Sequence, residues 1–313
     1  MSISPPKPKI QFYRVRTFSE KMNVTFDFLR ENLKPLLKFS LYVILPLCLL
    51  QSFFMDSFMR VYMSALGGAS GSAAADFTSV AGYYGVLIVC TLLGSILISA
   101  LVCSLLQTYE RRDRRLQGLA FAELKPLFMT NCTKALQIML FSFGVVIAAA
   151  IVVALLAWFS LWTLVGTIFL LIVGLVAVAV PFALFTPLYL FEDLPFGAAL
   201  RKSMKYGFSA WGEIFLVSLV FGLLANILGG VTGAPWTLVT IIGSVFSIAS
   251  PDAGIESSVW YRFLTYILGV IMAYGTYLGL IVSTGGMAFQ YFHLREKREG
   301  VTMQTDIVNF DRL

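Results

Sequence analysis

The sequence predicts an all-α polytopic membrane helix bundle, with six transmembrane helices and about three interfacial amphipathic helices. Three observations predict it. Of 313 residues, 58% are hydrophobic and only 13% charged, against roughly 25% charged in ordinary soluble domains. Six stretches, uncharged beyond their first turn, are long enough to cross about 30 Å of hydrocarbon, which takes about 20 helical residues. Threaded through those stretches from an inner N-terminus, 21 of the 23 Lys/Arg fall on the inner side, leaving only Arg60 and Arg262 outside, a strong positive-inside bias.

Residues 1–16 read as a flexible cytoplasmic tail. The apolar residues Phe18, Met22, Phe26, Leu29 and Leu33 then recur at helical spacing, with Glu20, Lys21, Asp27, Arg30 and Glu31 on other faces, the pattern of a helix lying in the inner interface. Thr17 with Glu20 has the spacing of a capping box, and Pro35 is placed to turn the chain into the membrane. The first span, 36–55, follows a long charged segment and no small-residue cleavage site follows it, so it reads as uncleaved.

Span two, 82–107, ends at ERRDRR, where Arg111, Arg112, Arg114 and Arg115 stop the helix at the inner surface. In a soluble protein such a cluster would suggest nucleic acid. Here it faces anionic headgroups, at about 1 kcal/mol per charge, and a nucleic-acid role is set aside. Residues 116–128 repeat the amphipathic idea, and AELKPLF at 122–128 echoes ENLKPLL at 31–37. Spans three and four, 136–157 and 162–190, follow. A third amphipathic segment places Phe196, Ala199, Leu200, Ser203 and Met204 on one face and Arg201, Lys202 and Lys205 on the other. Span five is 213–230 and span six 263–290, before a cytoplasmic tail, 293–313. A single transmembrane domain, 17–292, holds all six spans. The uncharged stretch 234–251, bracketed by Pro235 and Pro251, is short for a separate crossing, and crossing would put the basic C-terminus outside. It is expected as a re-entrant or interfacial element on the outer side. Trp and Tyr residues near the expected boundaries, among them Tyr84, Trp158, Trp162, Trp236 and Trp260, fit interfacial girdles.

Catalytic and metal-binding constellations are sparse, and neither a metal nor another cofactor is expected. The sole histidine, His293, is expected as a solvated surface residue, so no histidine triad or histidine metal site assembles. The four cysteines are scattered and read as buried thiols. Glu192 and Asp193 form the one acidic pair at a span end. Such a pair can bind a cation or exchange protons, or Asp193 can cap the following helix while both acids meet basic neighbours. No titratable group lies at mid-depth, which counts against ion-coupled transport. Asn226, the most conspicuous deep polar residue, is expected to bond between helices. Small residues at four-residue spacing, Gly275/Gly279/Ser283 and Ser218/Gly222/Asn226, predict close helix approach, and Pro46, Pro181 and Pro187 predict kinks.

Residues 187–219, PLYLFEDLPFGAALRKSMKYGFSAWGEIFLVSL, combine a span ending in proline and acid, a small-residue amphipathic helix (Ala199, Leu200, Ser203) and an aromatic lead into the next span (Trp211). In this the chain resembles a group of bacterial six-span proteins that includes the YciC-like family and the membrane domain of some glycerophosphodiester phosphodiesterases. The resemblance implies an inner-membrane bundle and, with no phosphodiesterase domain present, carries over no hydrolytic activity; the positive-inside bias places both termini in the cytoplasm. Three classes of function remain open: a non-enzymatic scaffold or accessory subunit whose basic inner face meets anionic lipid or a membrane or cytoplasmic protein partner, a permease or lipid-handling protein for an apolar or amphipathic substrate, and an intramembrane enzyme.

Overall fold

The structure is a computed structural model describing residues 8–66, 73–157, 161–249 and 258–302. Trp158, the side chain of Trp162 and most of the expected C-terminal tail lie outside the described residues. All regular structure in the described residues is helical: α1 (Phe18–Glu31), α2 (Leu33–Leu66), α3 (Ala73–Arg111), α4 (Phe121–Ala157), α5 (Leu161–Ala183), α6 (Phe185–Phe191), α7 (Phe196–Ser209), α8 (Trp211–Ala249) and α9 (Val259–Glu299). Among the described residues six helical stretches are long and apolar enough to cross a membrane, so the protein is an all-α membrane bundle.

The helix starts and stops follow local chemistry. Thr17 caps α1: its hydroxyl accepts from the Glu20 amide while the Glu20 carboxylate accepts from the Thr17 amide at 2.7 Å, satisfying two otherwise orphaned donors. The break before α2 falls at Asn32, whose amide returns to the Phe28 carbonyl, rather than at Pro35. Pro35 sits in the first turn of α2, where a missing N–H costs nothing. Pro46 lies within an unbroken α2, whereas Pro181 precedes the interruption at Leu184 between α5 and α6. Arg115 takes φ 56° in the turn before α4, a left-handed conformation costing about 1 kcal/mol, and its guanidinium is held by Glu31 at 2.6 Å.

Two expectations change here. The segment 234–251 is not a separate re-entrant element over its described length: α8 continues from Trp211 to Ala249 with Pro235 inside it. Thr237 and Thr240 hydroxyls bond to the Gly233 and Trp236 carbonyls, and Trp236 itself is buried. A proline deletes only one helical hydrogen bond, and apolar surroundings favour keeping the rest. The second amphipathic segment is likewise no separate helix, because α4 runs through Pro126 into span three without a break. Only α1 and α7 stand apart.

The chain divides into two compact units. The first comprises 1–36, 99–221 and 282–313, the second 37–98 and 222–281. In the first, Phe12, Phe28, Tyr109, Phe289 and Phe292 form a buried aromatic nest, with Phe12 stacked on Tyr109 at 5.6 Å and on Phe292 at 4.9 Å. The described part of the expected N-terminal tail is therefore a packed segment anchored by Phe12. Beside the nest, Gln107 donates to the Leu190 carbonyl and accepts from Asn131, so these buried amides are paired. In the second unit, Gly279 of α9 lies against the backbone of Ala225 in α8, and Gly275 against Thr232. The expected small-residue face of span six is a close helix contact. That of span five is not: Gly222 meets nothing within 4 Å, and Asn226 is exposed and donates to the Gly222 carbonyl of its own helix. An amide that can back-bond within its helix needs no partner on a neighbour.

Candidate functional site

Charged side chains converge in the first unit, and the route there begins with α1. Its buried positions are Lys21, Thr25 and Phe28, while Phe18, Phe26 and Leu33 remain exposed. The helix turns a partly polar face to the protein and its apolar face outward, the orientation of an interfacial helix at the edge of a bilayer. In α7 the buried residues are Ala199, Ser203, Tyr206 and Gly207. Ser203 donates to the Pro181 carbonyl, and Gly207 fits against Pro181 where a Cβ would collide. That close seat fixes the height of Lys202.

Glu192, only 7% exposed, is the centre of one cluster. Its carboxylate accepts from Lys202 at 2.7 Å and from the Tyr291 hydroxyl at 2.8 Å, with Arg295 Nε at 3.7 Å. Glu299 joins the same cations, 2.5 Å from Lys202 and 3.0 Å from Arg295, and accepts from Tyr206 at 2.6 Å. Arg295 also donates to the Tyr13 hydroxyl at 3.1 Å. Two carboxylates, two cations and three phenols thus lock α6, α7, α9 and the N-terminal segment together. Burial, assisted by Glu110, pushes the Tyr13 phenol up to about 12. Burial and the bond to Glu299 also raise Tyr206. Neither phenol is poised to act as an acid or base near neutrality.

The acidic pair therefore separates. Asp193 does not cap α7: Pro195 is the N-cap, extended at ψ 147° with no side-chain bond. Asp193 points out, fully exposed, with Lys134 at 3.3 Å. Asp193 lies two residues before the N-cap, where proline fixes φ and offers no side-chain acceptor. Glu192 pairs with Lys202 and Arg295 rather than with Arg201.

A second cluster gathers around Glu213, in the first turn of α8, where the helix dipole favours an acid. Lys297 lies 3.1 Å from it, His293 3.3 Å and Lys21 3.6 Å. His293 is 3% exposed, which corrects its expected place on the surface. Its Nδ1 accepts from the Arg16 amide at 2.9 Å, so the proton resides on Nε2 and is directed at Glu213. Nothing in the sequence signalled this contact, since the residues lie 80 apart. Lys21 is 4% exposed, and burial lowers its ammonium pKa against the opposing pull of Glu213.

The remaining expected site residues do not converge. Arg112 pairs with Glu123 at 3.4 Å and Arg115 with Glu31. Arg111, Arg114, Arg201 and Lys205 are exposed. Among the described residues no group of three or more His, Cys, Asp or Glu could hold a metal ion. Cys48, Cys90 and Cys103 are buried free thiols, and Cys132 is half-buried. No protein-family model, curated protein or solved structure matches this chain.

Proposed function

We propose that this is a non-enzymatic scaffold or accessory subunit of the bacterial inner membrane. Both termini face the cytoplasm, and exposed basic side chains of that face hold anionic lipid or an acidic surface of a partner protein. The positive-inside bias supports the orientation, and the resemblance of residues 187–219 to YciC-like proteins supports the compartment. One observation carries the reading. The titratable groups gathered around Glu192, namely Lys202, Arg295 and Glu299, neutralise one another with it, whereas Arg111, Arg114, Arg201 and Lys205 are exposed and form no ion pair among the described residues. A reacting centre needs a titratable group open to its substrate and poised near the working pH. A lipid-binding face needs uncompensated cations near the surface.

At about 1 kcal/mol per charge, four such cations supply at most roughly 4 kcal/mol toward an anionic surface, weakened by salt. The experiment is to purify wild type and the R111Q/R114Q/R201Q/K205Q variant from native membranes in neutral detergent, at low and high salt, and quantify the bound lipid. The variant should lose anionic lipid in the low-salt preparation while keeping a folded, monodisperse profile. An unchanged lipid complement would reject the basic face as the working part.

A further inference from the structure

The cluster around Glu213 opens into a cavity of about 370 Å³ whose walls are of two kinds. One wall is charged: Lys21, Lys297, Arg16 and the His293 ring against the carboxylates of Glu213 and Glu20. The other is apolar and reaches the surface through Phe18, Leu216 and Val15, which are 37%, 45% and 55% exposed. The acids have prior engagements. Glu20 is held by the Thr17 cap, and Glu213 is shared between His293, Lys297 and Lys21. Lys21 is the telling residue. Its side chain is buried to 5% exposure, and its ion pair with Glu213 is long, 3.6 Å, to a carboxylate that Lys297 at 3.1 Å and His293 at 3.3 Å also hold. A buried ammonium has three donors, and a share of one carboxylate leaves it room for a further acceptor from the cavity that it lines.

We infer that this cavity is a specific site for the phosphate of an anionic phospholipid headgroup, with Lys21 and Lys297 as its cationic ligands and Phe18 and Leu216 flanking the acyl chains. The three cations outnumber the two carboxylates, so an anion completes the charge balance. A phosphate diester presents unprotonated oxygens to both ammonium groups, whereas a neutral zwitterionic headgroup adds its own cation. The volume admits a glycerophosphate headgroup but not a lipid tail, and the apolar rim is where the tail leaves. A free phosphate would need the charged wall alone and would leave the rim without purpose. The inference shares with the proposed function the placement of this end at an anionic leaflet, but it concerns a different set of side chains.

The test titrates the purified full-length protein in neutral detergent by native mass spectrometry with phosphatidylglycerol, phosphatidylcholine and inorganic phosphate in separate arms. Wild type should bind one phosphatidylglycerol in preference to phosphatidylcholine, and Lys21→Met should weaken that lipid at least tenfold without changing phosphatidylcholine. Where Lys21→Met does not yield folded protein, Lys297→Gln, altering a half-exposed side chain, should weaken the same lipid at least threefold. The R111Q/R114Q/R201Q/K205Q variant should retain this tight site. Wild-type affinity in the folded cavity variant, or loss of the tight site only in the surface variant, overturns the cavity site. Inorganic phosphate matching phosphatidylglycerol at equal concentration overturns the lipid as its occupant.

Discussion

Gly279 and Gly222 allow a matched test of how closely α8 and α9 approach. A Cβ built on Gly279 would lie 2.7 Å from the Ala225 carbonyl oxygen, 3.0 Å from its Cα and 3.1 Å from its carbonyl carbon, all backbone atoms. A Cβ on Gly222 would meet nothing within 4 Å. Both glycines sit inside long helices, so alanine brings each the same propensity gain of up to about 1 kcal/mol. That gain cancels in the comparison. What remains is the displacement of a helix backbone by roughly 0.7 Å to restore an ordinary contact near 3.4 Å, an overpacking cost of about 1 to 3 kcal/mol. Gly222→Ala should therefore be neutral to stabilising and Gly279→Ala destabilising. The gap in melting temperature in detergent should be about 2 to 6 °C if each kcal/mol shifts it by about 2 °C. Tryptophan-fluorescence melts of the two variants side by side provide the assay. Shifts of equal sign and size would refute the close approach.

Glu192→Gln removes the charge that Lys202 and Arg295 share in a nearly closed site, and should cost about 2 to 3 kcal/mol. Asp193→Asn, at a fully exposed carboxylate screened by solvent, should leave the midpoint of the same denaturation series unchanged. Tyr13 titrates near 12 when folded and near 10 when unfolded, so the folded state holds this proton more tightly. The stability it contributes is fully present below pH 10 and is lost as the pH rises toward 12. Tyr13→Phe should flatten the fall in stability over that window, and parallel curves for the two proteins would count against the burial of the phenol. Reporter fusions after residues 70, 160 and 255 should report outside, and after 115, 205 and 300 inside; an external C-terminus would overturn the six-span orientation.

What the sequence revealed, and what it hid, follows the range of each interaction. The Thr17–Glu20 capping box is a four-residue event and was readable in place. So were the six apolar stretches, and the glycine face of α9, because helical spacing places Gly275 and Gly279 one turn apart. The same spacing rule misassigned Ser218, Gly222 and Asn226, since a stripe of small residues does not say which way it points. Pro235 looked like a boundary because proline breaks isolated helices, but in apolar surroundings the remaining backbone bonds outweigh the one it removes. The charged clusters were the least legible part. Glu213 meets His293 and Lys21 across the whole length of the chain, and only tertiary structure brings them together. Lys202, expected to face lipid with Arg201 and Lys205, is instead drawn onto Glu192 and Glu299.

The central claim is that this protein works by binding through its unpaired basic residues rather than by chemistry at Glu192. Quantitative pull-down from native membranes tests it most directly, with the R111Q/R114Q/R201Q/K205Q variant and the folded fraction of Glu192→Gln compared with wild type at equal protein. The account predicts that the basic variant loses its bound partners and the salt-sensitive share of its anionic lipid, while Glu192→Gln keeps them. A basic variant that retains everything, beside a folded Glu192→Gln that retains nothing, would contradict it and move the working site to the end of α6.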